Sequence, residues 1–227
     1  MKAIKHIFFD LDNTIWDFDK NSREALLELF KKDAVEKQIN APFDEFINVY
    51  ESINHSLWHQ YSLKQVTKEE LRIQRFSKSF EAFKYQNTAM ANRWADEYLT
   101  ISPYKTHLID GALEVLSYLE SKYNLHLITN GFKEVQHIKL TQSNIKSFFK
   151  QVIISEEHGF NKPHLQLFEI AEKLTGAQKN ECVMIGDNFD ADVVGALNAG
   201  WQAIYFSSEH KKDIKTIKQL SELKTIF

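Results

Sequence analysis

The sequence predicts an α/β fold in which a parallel sheet carries an inserted helical bundle. Three observations predict it. After Pro103, short apolar runs alternate with segments of helical spacing, the pattern of strands joined by crossover helices. From about residue 17 to about residue 100, helical spacing continues with no strand-like alternation. All seven glycines lie at or after Gly111, so the turn-rich half of the chain is the second.

Taken in order, "IKHIFFD" (residues 4–10) reads as the opening strand. Apolar residues at helical spacing follow: Ala25, Leu26, Leu29 and Phe30, then Phe43, Phe46, Ile47, Tyr50, Ile53, Leu57 and Trp58. Thr67 with Glu70 three residues on predicts a capping box before Leu71, and a fourth helix covers roughly residues 87–100. The bundle is therefore placed at residues 17–100, and the sheet domain at 1–16 and 101–227. In the second half, "DGALEVLSYLESKY" reads as helix, "LHLITNG" as strand and turn, and "QVIIS" as strand. "KPHLQLFEIAEKLTG" is helix, "CVMIGD" strand, "DADVVGALNAG" helix and "QAIYF" strand. The last residues, from Lys211, read as a short strand and a closing helix.

The chain has 227 residues, 43% hydrophobic and 13% aromatic, enough for a sizeable core and too much for disorder. The formal charge of −3, from 28 basic and 31 acidic residues, lacks the basic excess of a nucleic-acid binder. An anionic substrate would need local positive charge. Cys182 is the single cysteine, so no intrachain disulfide forms, and its apolar surroundings read as those of a buried small hydrophobe. The opening apolar stretch is too short for a leader and no run approaches membrane-spanning length, so a cytoplasmic location without a membrane partner is expected.

Ligands of open parallel sheets bind beyond the carboxyl ends of the strands. Those ends carry Asp10 and Asp12, then Thr129 and Asn130, then Lys162 before Pro163, then Asp187 and Asn188 with Asp192 beyond. Carboxylates gathered at one rim repel each other, and a divalent cation relieves that repulsion. All-oxygen donors point to a hard ion, Mg²⁺. A hydroxyl, an amide and an ammonium are groups that grip phosphate. A carboxylate is also a known nucleophile toward phosphorus, given a metal to offset the repulsion of two anions.

"DLDNT", "TNG", the lysine before proline and "GDNFDAD", in that order over nearly the whole chain, resemble the four motifs of the haloacid dehalogenase-like hydrolase superfamily, with its Rossmann-like core. An insertion after the first strand is similar to the helical cap of its subfamily I. The resemblance implies Asp10 as nucleophile and Asp12 as general acid and base, with the Asp12 backbone carbonyl also on the metal. It implies Thr129 and the Asn130 amide as phosphate binders, Lys162 as the balancing cation and Asp187 as a metal ligand. Asp192 is implied as an acid orienting Lys162 or a metal-bound water. Asn188 stands where many members have serine or aspartate. Dehalogenase members lack an acid at the Asp12 position, because halide leaves without a proton; Asp12 therefore favours phosphate-ester chemistry.

"DLDNTIWDFDKNS", "ITNGF" and "ISEEHGFNKPH" most resemble the pyrimidine 5′-nucleotidase branch, which implies a nucleoside 5′-monophosphate as substrate. Relatives acting on phosphoglycolate or sugar phosphates, and a phosphomutase, share the same motifs. The resemblance also implies a lid that keeps water from the site and selects the leaving group, with hinges near residues 17–20 and 98–105. Trp16 and Phe18 are placed near that leaving group, and a monomer or homodimer is expected.

Each motif residue has a plainer reading as a turn former, a helix cap or a surface charge; their joint occurrence at successive strand ends outweighs it. Asp190 keeps the plain reading. Glu51, His55 and His59 fall four apart on one helical face, but the spacing lacks a third soft ligand and reads as a polar face. Trp16, Trp58, Tyr61, Phe76 and Trp94 read mostly as bundle core. The remaining histidines read as scattered single residues.

Overall fold

A computed structural model describes residues 4–227. The chain divides into two compact units, one formed by the residues up to Phe18 together with Thr106–Phe227, the other by Asp19–Lys105. The opening strand is β1 (His6–Phe9). Five helices follow: α1 (Phe18–Lys32), α2 (Val35–Ile39), α3 (Phe43–Ser62), α4 (Lys68–Ala82) and α5 (Thr88–Ile101). The second division falls at Lys105 rather than near residue 100, because a 3₁₀ turn at Ser102–Tyr104, with Pro103 in it, extends α5. The short helix α2 was not expected; its five residues span too little chain for a periodic signal.

The helical unit closes around aromatic rings. Trp94 meets Phe46, Phe76 and Phe80 edge-on, with centroids 5.8, 5.8 and 5.2 Å away, a geometry that sets positive ring edges against negative faces. The Trp94 indole N–H donates to Asp33 Oδ2 at 2.6 Å, so the ring is buried without an orphaned donor. The capping box is present: Glu70 N–H donates to Thr67 Oγ1 at 3.1 Å and Thr67 N–H to Glu70 Oε2 at 2.7 Å. Arg75 is buried in the same unit, its guanidinium 4.5 Å from the Tyr98 ring centroid.

The chain then runs through α6 (Ala112–Glu120), β2 (Asn124–Thr129), α7 (Lys133–Gln142), β3 (Gln151–Ile154) and the single turn α8 (Ser155–His158). It continues with α9 (Leu165–Thr175), β4 (Cys182–Gly186), α10 (Gly195–Asn198), β5 (Gln202–Phe206), β6 (Lys215–Ile217) and α11 (Leu223–Ile226). The six strands form one sheet in the order β3-β2-β1-β4-β5-β6, every pair parallel. This is the fold class the alternating pattern predicts. β1 is buried on both faces: Ile7 and Phe9 join one apolar cluster with Leu116 and Ile185, and Phe8 joins another with Phe168 and Trp201, which is why its residues read as a continuous apolar run. Cys182 is fully buried and burial pushes its thiol up to about 12, as for an inert small hydrophobe. Among the described residues, no helix is long and apolar enough to cross a membrane.

Two sequence readings are corrected. Trp16 belongs to the core of the sheet unit rather than the bundle, packed with Ile7, Phe9, Leu11 and Ile15. Its N–H donates to the Leu11 carbonyl at 2.8 Å, which folds the chain back at once after the strand. Phe76 and Trp94 are bundle core, whereas Trp58 and Tyr61 lie half-buried against each other. His6 and His126 are not isolated: Nδ1 of His6 lies 3.0 Å from Nε2 of His126 across the β1–β2 pair. Burial, with His6 beside it, holds His126 down at about 3, so it stays neutral.

Candidate active site

The strand order turns outward in both directions from the β1–β4 pair, the switch point beyond which open α/β sheets bind ligands. Phe9 lies level with both Leu127 of β2 and Ile185 of β4, so the carboxyl ends of the three strands are aligned. Asp10 follows β1, Thr129 ends β2, and Asp187 follows β4.

The stretch after β1 is a tight turn. Asp10 N–H donates to the Ile185 carbonyl at 2.9 Å, extending the sheet by one residue. The Leu11 carbonyl then accepts from the N–H groups of Ile15 and Trp16 at 2.9 and 2.8 Å. Asn13 takes a φ of 59°, a left-handed conformation that asparagine tolerates. The fully buried Thr14 hydroxyl donates to Asp187 Oδ1 at 2.9 Å and accepts from Asp187 N–H at 3.1 Å, fixing that carboxylate.

Lys162 is buried with all three ammonium hydrogens used: Asp10 Oδ1 at 2.6 Å, Asp192 Oδ1 at 2.6 Å and the Ile128 carbonyl at 2.9 Å. Burial works against its charge, but Asp10 and Asp192 outweigh that and hold it above the ordinary lysine range. Its backbone is pinned by Asn130, whose side-chain oxygen accepts from Lys162 N–H at 2.8 Å and whose amide donates to the Lys162 carbonyl at 3.0 Å. The Asn130 side chain thus holds the lysine loop, a part the sequence reading did not give it.

Asp192 has both oxygens engaged, Oδ1 by Lys162 and Oδ2 by Asn188 N–H at 3.0 Å. A Cβ on Gly186 would lie 2.1 Å from Asp192 Oδ2, so only glycine ends β4 here. Asn188 is exposed, and its side-chain oxygen caps the next helix through Ala191 N–H at 2.9 Å. That helix, expected to be α throughout, begins as a wide π turn over Phe189–Val194 before α10; such turns are frequent at functional sites. Asp190 is exposed.

Carboxylate oxygens of Asp10, Asp187 and Asp192 lie within 4.8 Å of one another. With all three ionised, the carboxylates against one ammonium would carry −2 on a largely buried all-oxygen cluster, a donor set and charge that fit a hard divalent cation. Burial, together with the neighbouring acids Asp192 and Asp12 and against the pull of Lys162, pushes Asp10 up to about 7. Burial and the charges of Asp10 and Asp192 push Asp187 well above the usual carboxylate range. The Glu51 carboxylate, by contrast, is paired with Arg23 at 2.6 and 2.7 Å.

Asp12 faces a different set of groups. Its Oδ1 accepts from Lys139 Nζ at 2.5 Å and its Oδ2 from Gln136 Nε2 at 2.9 Å. Gln136 Nε2 also donates to Thr129 Oγ1 at 2.6 Å, and Gly131 N–H donates to the same oxygen at 3.2 Å. Thr129 Oγ1 therefore accepts twice and keeps its own hydrogen to donate. Gln136, Lys139 and Thr14 were not found as site residues from the sequence. The signal lies in "KEVQHIKL": Gln136 and Lys139 share a helix face that α7 buries, while Val135 and Ile138 stay half-buried.

A family model described as haloacid dehalogenase-like hydrolase matches residues 4–200. The pyrimidine 5′-nucleotidase PynA of Streptococcus pneumoniae is 33% identical over 208 residues, 91% of this chain and 85% of that protein. The pyrimidine 5′-nucleotidase YjjG of Escherichia coli is 27% identical, over 97% of this chain and 96% of its own. A crystal structure of the HAD-hydrolase YfnB of Bacillus subtilis, bound to magnesium, superposes with a TM-score of 0.89 at 29% identity, covering 99% of both chains. The chain belongs to the haloacid dehalogenase-like hydrolase family.

Proposed function

We propose that this haloacid dehalogenase-like hydrolase is a Mg²⁺-dependent phosphomonoesterase working through a phospho-Asp10 intermediate, with pyrimidine nucleoside 5′-monophosphates as substrates. The observation that carries the reading is the Lys162 ammonium bridging Asp10 and Asp192 beside Asp187. Such an arrangement holds a nucleophilic carboxylate in place while leaving net negative charge for a metal. Asp10 Oδ1 is held by Lys162, and Oδ2 takes no hydrogen bond among the described residues.

Asp10 and Asp187 would hold the ion with the Asp12 backbone carbonyl, because both oxygens of Asp192 are already engaged. Bound there, Mg²⁺ supplies positive charge that offsets the repulsion between carboxylate and phosphate. Asp10 attacks phosphorus, the ester P–O bond breaks, and the departing oxygen takes its proton from Asp12. Water then attacks phosphorus of the acyl phosphate, Asp12 takes the water proton, and Asp10 and inorganic phosphate are regenerated. Thr129 donates its free hydroxyl hydrogen to a phosphate oxygen. Lys162 keeps its protons and balances the charge of nucleophile and phosphate.

The nucleotide assignment is supported by PynA and YjjG, whose names specify pyrimidine 5′-nucleotidases. A glyceraldehyde 3-phosphate phosphatase of Pyrococcus abyssi, 31% identical over 89% of this chain, favours a small sugar phosphate as the second reading. Phosphate release with Mg²⁺ from pyrimidine and purine 5′-monophosphates, glyceraldehyde 3-phosphate, phosphoglycolate and hexose phosphates separates them. The highest kcat/KM is expected for a pyrimidine nucleotide. A faster sugar phosphate would overturn the nucleotide assignment. Isomerised sugar phosphate with little free phosphate would indicate a mutase. No release from any ester would overturn the phosphatase reading.

The acids also set a pH dependence. Between the ordinary aspartate range and about 7, the folded metal-free site binds protons that the unfolded chain has released. Its contribution to stability therefore falls as pH rises through that window, and Mg²⁺ must displace those protons to bind. Saturating Mg²⁺ is expected to raise Tm more at about pH 8 than at about pH 6. Equal shifts, read by differential scanning calorimetry, would contradict it.

A further inference from the structure

We propose that Lys139 is a positioning residue for Asp12, which it clamps together with Gln136, and that through this clamp it governs protonation of the leaving group. The inference rests on the reading of Asp12 as general acid. Both oxygens of the Asp12 side chain are held by residues three apart on α7, Lys139 at 2.5 Å and Gln136 at 2.9 Å. Such a pair shares one helix face, so the two donors move as a unit. The clamp has a floor: the Lys139 ammonium sits 4.2 Å from the Trp16 ring centroid, and Trp16 is fully buried. It also has a link to the phosphate binder, since the second Gln136 amide hydrogen goes to Thr129 Oγ1 at 2.6 Å. Gly131 makes room for it; a Cβ there would lie 2.1 Å from Gln136 Nε2.

Packing alone does not account for these residues. Lys139 is 4% exposed and Gln136 wholly buried. Apolar side chains at the same positions would fill the space without the cost of desolvating an ammonium and an amide. What the polar pair adds is direction: a carboxylate held at both oxygens has one orientation, and a general acid works only from within hydrogen-bond reach of the departing oxygen. The proton balance is unchanged by the clamp. Asp12 gives its proton to the leaving oxygen and regains one from the attacking water, and Lys139 keeps its own throughout.

The test compares kcat/KM on two esters, because that ratio reports only the steps through phosphoryl transfer. p-Nitrophenolate departs without a proton; the alkoxide of uridine 5′-monophosphate or ribose 5-phosphate, whichever turns over faster, does not. Lys139→Met is expected to lose roughly 10- to 100-fold on the alkyl ester, with a loss at least about tenfold smaller on p-nitrophenyl phosphate. Lys139→Arg is expected to restore most of the alkyl-ester rate. Where Lys139→Met fails to fold by calorimetry, Lys139→Gln is read in the same way. Equal losses on both esters, or no loss, would overturn the proposal. Asp12→Asn separates it from its premise. If Asp12→Asn discriminates between the esters while the Lys139 variants do not, the clamp is refuted. If Asp12→Asn itself does not discriminate, the acid assignment fails and the clamp falls with it.

Discussion

Asp10→Asn is expected to abolish turnover, by at least about four orders of magnitude, while the protein remains folded. The substitution keeps the shape of the side chain and removes the carboxylate charge and one of its two oxygens, the group proposed to attack phosphorus. Asp10 is buried, ends in the β1 extension through its N–H bond to Ile185, and touches Lys162 through one oxygen. An amide oxygen can still accept from Lys162, so the local hydrogen bonds persist. Burial already disfavours the Asp10 charge, pushing it up to about 7. Removing that charge should leave the metal-free Tm unchanged or higher. Residual phosphate release, measured with a stopped assay on the best substrate, together with calorimetry, checks both halves. Turnover within about tenfold of the parent would refute Asp10 as the attacking group.

Lys162→Met is expected to be the most damaging substitution for activity and stability together. The ammonium lies between Asp10 and Asp192 at 2.6 Å from each, and its third hydrogen satisfies the Ile128 carbonyl. Its removal leaves two buried carboxylates facing each other with Asp187 close by. Breaking a buried ion pair by deleting one partner costs about 3–5 kcal/mol. A loss of roughly 10³-fold or more in kcat is expected as well, because the positive charge proposed to balance nucleophile and phosphate would be lost. Mg²⁺ should recover part of the stability, since it relieves the same repulsion, but not the rate. A variant as stable as the parent without metal would show that Lys162 is not what holds the carboxylates together.

The candidate site residues that the sequence picked out and the structure gathers sit mostly close to strand ends. Asp10, Thr129 and Asp187 follow or end apolar runs, and the parallel sheet brings those ends to one rim; Lys162 lies farther on, past β3 and α8, and was read from the lysine-before-proline motif. The less legible residues act across long separations. Lys139 and Gln136 meet Asp12 across 127 and 124 residues, and an α7 that buries a polar face inverts the amphipathic signal on which sequence reading depends. Asn188 reads as a site residue by position, but its side-chain oxygen is spent on a cap. His6 and His126 lie 120 residues apart and pair only because β1 and β2 are neighbours. Trp16 follows the turn set by Leu11 rather than the helix beyond it, so its place in the sheet core depends on a backbone reversal that periodicity does not register.

The most direct test of the central reading is a rapid acid quench during a single turnover with the best phosphomonoester and Mg²⁺, followed by borohydride reduction and peptide mapping. An acyl phosphate on Asp10, reduced to homoserine at that position, is the predicted result. Full turnover with no modification of Asp10 at any quench time, or with the phosphoryl group on another residue, would contradict it.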